Sequence, residues 1–78
     1  MRPKELRLVV TFATTVAAIE MERYCLENHI PGRLIPTPRQ ITADCGLAWS
    51  APPESEETIY QAAERGNIEI AGSSVLSI

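Results

Sequence analysis

The apolar positions alternate at first, then wind, then alternate again. From residue 6 to residue 12, Leu6, Leu8, Val10 and Phe12 fall on one side of an extended chain. Arg7, Val9 and Thr11 fall on the other side. The β-branched content favours a strand. Its second face is only half polar, which suits an interior strand with a partly covered outer face. Over residues 15–28 the period becomes helical. Ala18, Met21 and Cys25 make a stripe flanked by Ala17 and Tyr24, while Glu20, Glu22, Arg23 and Glu27 take the remaining circumference. Thr14 or Thr15 can cap the start, and Asn28, His29, Pro31 and Gly32 supply the stop.

Residues 33–38 read as extended but carry Pro36 and Pro38. Proline cannot donate to a ladder, so this strand belongs at a sheet edge. Two residues apart, both prolines turn the same way, toward the free side, where they blunt the edge against stray pairing. Residues 46–51 form the next short strand, with Leu47 and Trp49 on one face. The connection between these strands is longer than a tight turn. Pro52 and Pro53 open a second helix over about 54–65, with Glu54, Glu56 and Glu57 at its positive end. Ile59, Ala62 and Ala63 face the core, and Gly66 is placed to cap. A last strand starts near 67 with Ile68 and Ile70, is interrupted at Gly72 and continues through Val75, Leu76 and Ile78.

The order β-α-β-β-α-β with right-handed crossovers gives an α+β, ferredoxin-like two-layer sandwich. Both helices cover one face of the sheet. The other face, with Arg7, Val9, Thr11 and Ala48, is mixed and offers a contact for a homodimer. The 78 residues suffice for a single small domain over 1–78, with 1–5 and 73–78 expected to fray.

Composition narrows the function. Hydrophobic residues are 45% and charged residues 22%, a globular balance, with a net charge of −3. Arg2, Lys4, Arg7, Arg23, Arg33, Arg39 and Arg65 are scattered, which argues against a nucleic-acid surface. No stretch has the length of a membrane span, and no leader is visible, so a cytoplasmic setting is expected. Two cysteines there are thiols rather than a staple, and too few for a structural zinc site. No cofactor-binding signature is present.

Chemistry concentrates in residues 36–47, P-T-P-R-Q-I-T-A-D-C-G-L. A hairpin brings Arg39 back toward Cys45, where a guanidinium favours thiolate over thiol. Gly46 leaves room for a partner's backbone or thiol to approach. Asp44 works in the opposite sense, because a neighbouring carboxylate raises a thiol pKa. Ile41 to Asp44 can form a short helical turn. The other reading of Cys45 is a small hydrophobe tucked under the hairpin. Cys25 sits on the apolar stripe and reads as core, although a loop folded back over the helix would let it pair with Cys45. His29 sits at a helix end, where a solvated position suits the dipole better than a Cys-His pair. Trp49 and Tyr60 are at core-like spacing.

The phrase I-P-G-R-L-I-P-T-P-R-Q-I-T-A-D-C-G-L-A, residues 30–48, resembles the small bacterial family of putative selenium/sulfur carrier proteins. The matching positions are Ile30, Pro31, Arg33, Leu34, Ile35, Pro36, Pro38, Arg39, Ile41, Cys45, Gly46, Leu47 and Ala48. The family's cysteine falls on Cys45 and its arginine on Arg39. The resemblance implies a persulfide or selenopersulfide on Cys45, supplied by a donor of the cysteine desulfurase or selenocysteine lyase type and passed to an acceptor protein. The activity implied is that of a carrier, sulfurtransferase-like at most. Asp44 departs from the family's pattern, in which small neutral residues precede the cysteine. The contrasting class is a non-catalytic ferredoxin-like interaction or ligand-binding module, in which Cys45 only packs. A third reading is a thiol redox sensor that pairs Cys25 with Cys45.

Overall fold

The computed structural model describes residues 5–41 and 46–78. The elements are β1 (Leu6–Phe12), α1 (Thr15–Glu27), β2 (Arg33–Pro36), β3 (Leu47–Ala51), a 3-10 turn (Pro53–Ser55), α2 (Glu56–Arg65) and β4 (Ile70–Ser77). The sheet order is β2-β3-β1-β4, and every neighbouring pair is antiparallel. This is the expected ferredoxin-like split β-α-β arrangement.

The alternation seen in the sequence sorts the two faces. Leu8, Val10, Phe12, Trp49 and Ala51 point into the core with Ala18, Met21 and Cys25 of α1 and Ile59, Ala62 and Ala63 of α2. Leu6, the first of the alternating set, is instead largely exposed. On the opposite face Val9 and Ala48 are also fully buried, and Thr11 and Ser50 nearly so. Arg7 runs across that face, where its Nε donates to Ser50 Oγ at 3.1 Å.

β2 is an edge strand, as its prolines require. Thr37 N donates to Gly46 O at 3.0 Å, and Pro36 pairs with Leu47. Bonding alternates along an antiparallel ladder, so the Pro36 nitrogen faces the free side, where no donor is needed.

Thr14 caps α1, its Oγ1 accepting from Ala17 N at 3.1 Å. Both helices end in the same device. Ile30 N donates to Cys25 O at 2.9 Å and Ile68 N to Ala63 O at 2.8 Å, across left-handed residues His29 (φ 55) and Asn67 (φ 54). This is the Schellman closure, in which the apolar residue beyond the helix folds back onto the core. Gly66 is the cap residue but has ordinary helical φ, and Asn67 takes the left-handed position.

Several sequence expectations shift for that reason. Ile68 is buried as the closing residue of α2 rather than as the start of a strand. β4 begins at Ile70 and runs through Gly72 without a break. The irregularity falls opposite Thr11 and Phe12, where the register shifts. Residues 73–77, expected to fray, pair with β1, and Glu5 and Ile78 exchange two backbone hydrogen bonds. Pro53 opens a 3-10 turn, so α2 starts at Glu56 rather than 54. Tyr60 is 41% exposed, and its hydroxyl bonds Ser73 Oγ beside β4 instead of entering the core.

Gly32 fixes the entry to β2. It sits at φ +132, and a Cβ there would lie 2.4 Å from Trp49 Nε1 and 2.7 Å from Ser50 O. Trp49 is 1% exposed, and its indole N–H is buried with no acceptor among the described residues. Any side chain at 32 would press on both a backbone carbonyl and the largest buried ring. Gly32→Ala is therefore expected to destabilise the fold by on the order of 3 kcal/mol, strain and overpacking combined, read by denaturant unfolding. His29→Gly should do the reverse, raising stability by up to about 1 kcal/mol, because glycine enters the left-handed region without the steric penalty.

Candidate functional site

The hairpin between β2 and β3 is built from its base upward. Pro36 pairs with Leu47, and the Thr37–Gly46 hydrogen bond closes the mouth. Just inside, Ile41 N donates to Pro38 O at 3.0 Å, which makes residues 38–41 a β-turn. Proline at the first position of such a turn leaves the next two residues at the corner, and these are Arg39 and Gln40. Both are exposed. Arg39 makes no ion pair among the described residues.

Gly46 stands at the other side of the mouth. It is exposed, and no described residue lies within 4 Å of where its Cβ would be. The backbone there is not left-handed, so the position does not demand glycine for its conformation. Cys45 and Asp44, the other two expected site residues, lie outside the described residues, and so does most of the expected 41–44 helical turn. The approach of Arg39 to Cys45 falls there too.

The topology adds a neighbour that spacing alone did not reveal. Thr11 pairs with Ala48, so β1 ends at the same end of the sheet from which the hairpin emerges. The amino end of α1, capped by Thr14, therefore lies at that end as well. A helix amino end carries partial positive charge. The signal in the sequence was Thr14 directly after an apolar strand, which marked a cap but not its place beside the hairpin.

Cys25 and His29 lie at the far end of the same helix. α1 has 13 residues and is about 20 Å long at 1.5 Å per residue. Cys25 is a free, fully buried thiol. Burial pushes its pKa up from 9.0 to about 11. The Cys25–Cys45 pairing of the redox-sensor reading involves Cys45, which lies outside the described residues. His29 is exposed in the cap of α1 and belongs to the helix closure, remote from the hairpin.

The rest of the surface offers little conventional machinery. A shallow depression of ≈ 460 Å³ opens at the opposite end of the sheet, lined by Arg7, Arg33, Ile35, Ser50 and the ends of β1 and β4. Its lining reaches β2 and β3 but includes neither Arg39 nor Gly46. Among the described residues no cluster of His, Cys, Asp and Glu could hold a metal. No helix among them is long and apolar enough to cross a membrane.

The fold is a small α+β, ferredoxin-like arrangement in which the ladder between β2 and β3 ties the base of a hairpin loop. The chain belongs to the family described as "Putative Se/S carrier protein-like", which it matches over residues 7–74. No curated protein and no solved structure matches it.

Burial of the Cys25 thiol should make stability depend on pH in the alkaline range. The Cys25 thiol is neutral in the fold up to about 11 and ionises near 9.0 once unfolded. Its contribution is thus fully present below pH 9.0 and is lost as pH rises toward about 11. Across that window the wild type should lose stability more steeply than Cys25→Ala, by on the order of 1 kcal/mol per pH unit, in urea titrations at a series of pH values. Parallel slopes in the two proteins would contradict the assignment.

Proposed function

We propose that this protein carries sulfur or selenium as a persulfide or selenopersulfide on Cys45. The observation that carries this reading is the tied hairpin mouth in a chain of the Se/S carrier family. Cys45 directly precedes Gly46, whose carbonyl closes the mouth, and Arg39 occupies the turn on the other arm. The ladder that holds the loop ends sets Arg39 on the arm opposite Gly46, the residue that follows Cys45 in sequence. A guanidinium on that arm and the amino end of α1 at the same end of the sheet both favour a thiolate over a thiol. Asp44 opposes them and sets the thiol less acidic than it would otherwise be.

The transfer needs no outside oxidant. The Cys45 thiolate attacks the terminal sulfur of a donor protein's cysteine persulfide. A Cys45 Sγ–S bond forms, the donor's S–S bond breaks, and the donor cysteine leaves as thiolate with the electron pair. With selenium the transferred atom is selenium and the steps are the same. Delivery repeats the exchange. An acceptor nucleophile attacks the terminal atom, and Cys45 leaves as thiolate. Gly46 admits the partner's chain to the sulfur. The partner is a desulfurase- or lyase-type donor, followed by an acceptor protein.

Such a carrier needs exposure and an approach path, not a cavity. The depression lined by Arg7, Arg33 and Ser50 is not needed for that role.

Incubated with a cysteine desulfurase and cysteine, the wild type should gain the mass of one sulfur in intact-protein spectra. Cys45→Ser should gain none, while Cys25→Ala should gain as wild type does. Arg39→Ala should raise the apparent pKa for thiol alkylation, and Asp44→Asn should lower it. Absence of any mass gain with both desulfurase and selenocysteine lyase donors would sink the reading.

A further inference from the structure

The two edges of the sheet are treated differently. β2 is four residues long, and Pro36 removes one of the two outward-facing backbone donors that its ladder phase leaves on the free side. β4 is eight residues long, and residues 70–78, I-A-G-S-S-V-L-S-I, hold no proline and no charge. Soluble proteins normally blunt such an edge with one or the other. Here only the edge next to the hairpin is blunted.

The ladder phase identifies the free groups. Glu5 and Ile78 exchange both of their hydrogen bonds, and the register continues through Arg7–Leu76 and Val9–Ser74. Alternation then turns the N–H and C=O groups of Ser73, Val75 and Ser77 outward, away from β1. No described residue bonds to them. Around them the surface is apolar on the helix side. Val75 is 48% exposed, with Leu6 and the Tyr60 ring also exposed.

We infer that β4 pairs antiparallel with β4 of a second copy, about a two-fold axis at Val75. Val75 then faces the partner's Val75, Ser73 faces the partner's Ser77, and Ser77 faces the partner's Ser73. Every outward backbone group finds a partner in that one register, and no charged side chain meets another within the paired strands. A two-fold contact of one edge with itself closes. Head-to-tail growth would need the β2 edge, which Pro36 blocks, so the assembly stops at a dimer with one continuous sheet. Both helical layers lie on the same face of it. The hairpins emerge from the two outermost strands, at opposite ends, and stay clear of the contact. The mixed open face is a poorer candidate, because Val9, Ala48, Thr11 and Ser50 at its centre have almost no accessible surface left to bury.

The test is sedimentation equilibrium on the full chain with two variants. Val75→Pro removes an outward N–H without taking one from the β1 ladder, and Val75→Lys sets two ammonium groups against each other across the axis. Wild type should be dimeric. Each variant should weaken the dimer by about a hundredfold or more, near 3 kcal/mol by the standard conversion, with unchanged circular dichroism. Amide exchange should show Ser73, Val75 and Ser77 protected in wild type and released in Val75→Lys. Ser74 and Leu76, bonded to β1, should stay protected in both. A wild type that remains monomeric at millimolar concentration overturns the proposal. So does a dimer that survives both substitutions, or one whose Ser73, Val75 and Ser77 amides exchange freely.

Discussion

The seat of Trp49 beneath Gly32 is the contact on which the remaining geometry depends. The indole is the largest fully buried side chain, and on β3 it lies between Val10 and Leu34 in the neighbouring strands. It touches the chain where β2 begins, and only a glycine backbone fits above it. That single close approach sets where β2 starts, and the β2–β3 register then sets where the hairpin opens. A ring of this size dominates a small core, because it removes so much apolar surface from water at once. The indole N–H has no acceptor among the described residues, which shows that packing took precedence over hydrogen bonding there.

Much of this architecture was legible in the residue pattern. Period-two and period-3.6 stretches marked the elements in their right order, and Pro36 identified an edge strand before any pairing was known. The failures share a physical cause. Ile68 and Ile70 alternate like a strand, yet Ile68 closes a helix through Asn67, a device that reads as ordinary polar–apolar spacing. Gly72 looks like an interruption, and the register shift does fall beside it, at Ala71 between the Thr11–Gly72 and Phe12–Ile70 pairs, but the strand continues past it on both sides. Tyr60 has core-like spacing, and only tertiary placement put it beside β4. Local propensity cannot report which helix face meets which strand.

The site was legible in part. The tie between Thr37 and Gly46 and the exposed corner at Arg39 follow from prolines and a glycine at the right offsets. The amino end of α1 arriving at the same end of the sheet did not, because it depends on chain direction through three strands. Cys25 and Cys45 cannot be told apart by residue type. Placement on a helical stripe separated them, and the burial of Cys25 agrees. The family match is what singles out Cys45, since residue type and spacing alone leave its role open.

The shortness of β2 has a consequence for motion. It is held to the sheet by β3 alone, through a ladder of four residues, whereas β1 is bonded on both sides along most of its length. Opening the β2–β3 pair leaves the β3-β1-β4 core and its helices intact. Sub-global openings follow the weakest cooperative boundary, and that boundary runs between β2 and β3. The arm that carries Arg39 can thus peel back like a hinged flap at a free energy well below that of global unfolding. A bulky partner could be admitted to the loop without loss of the domain.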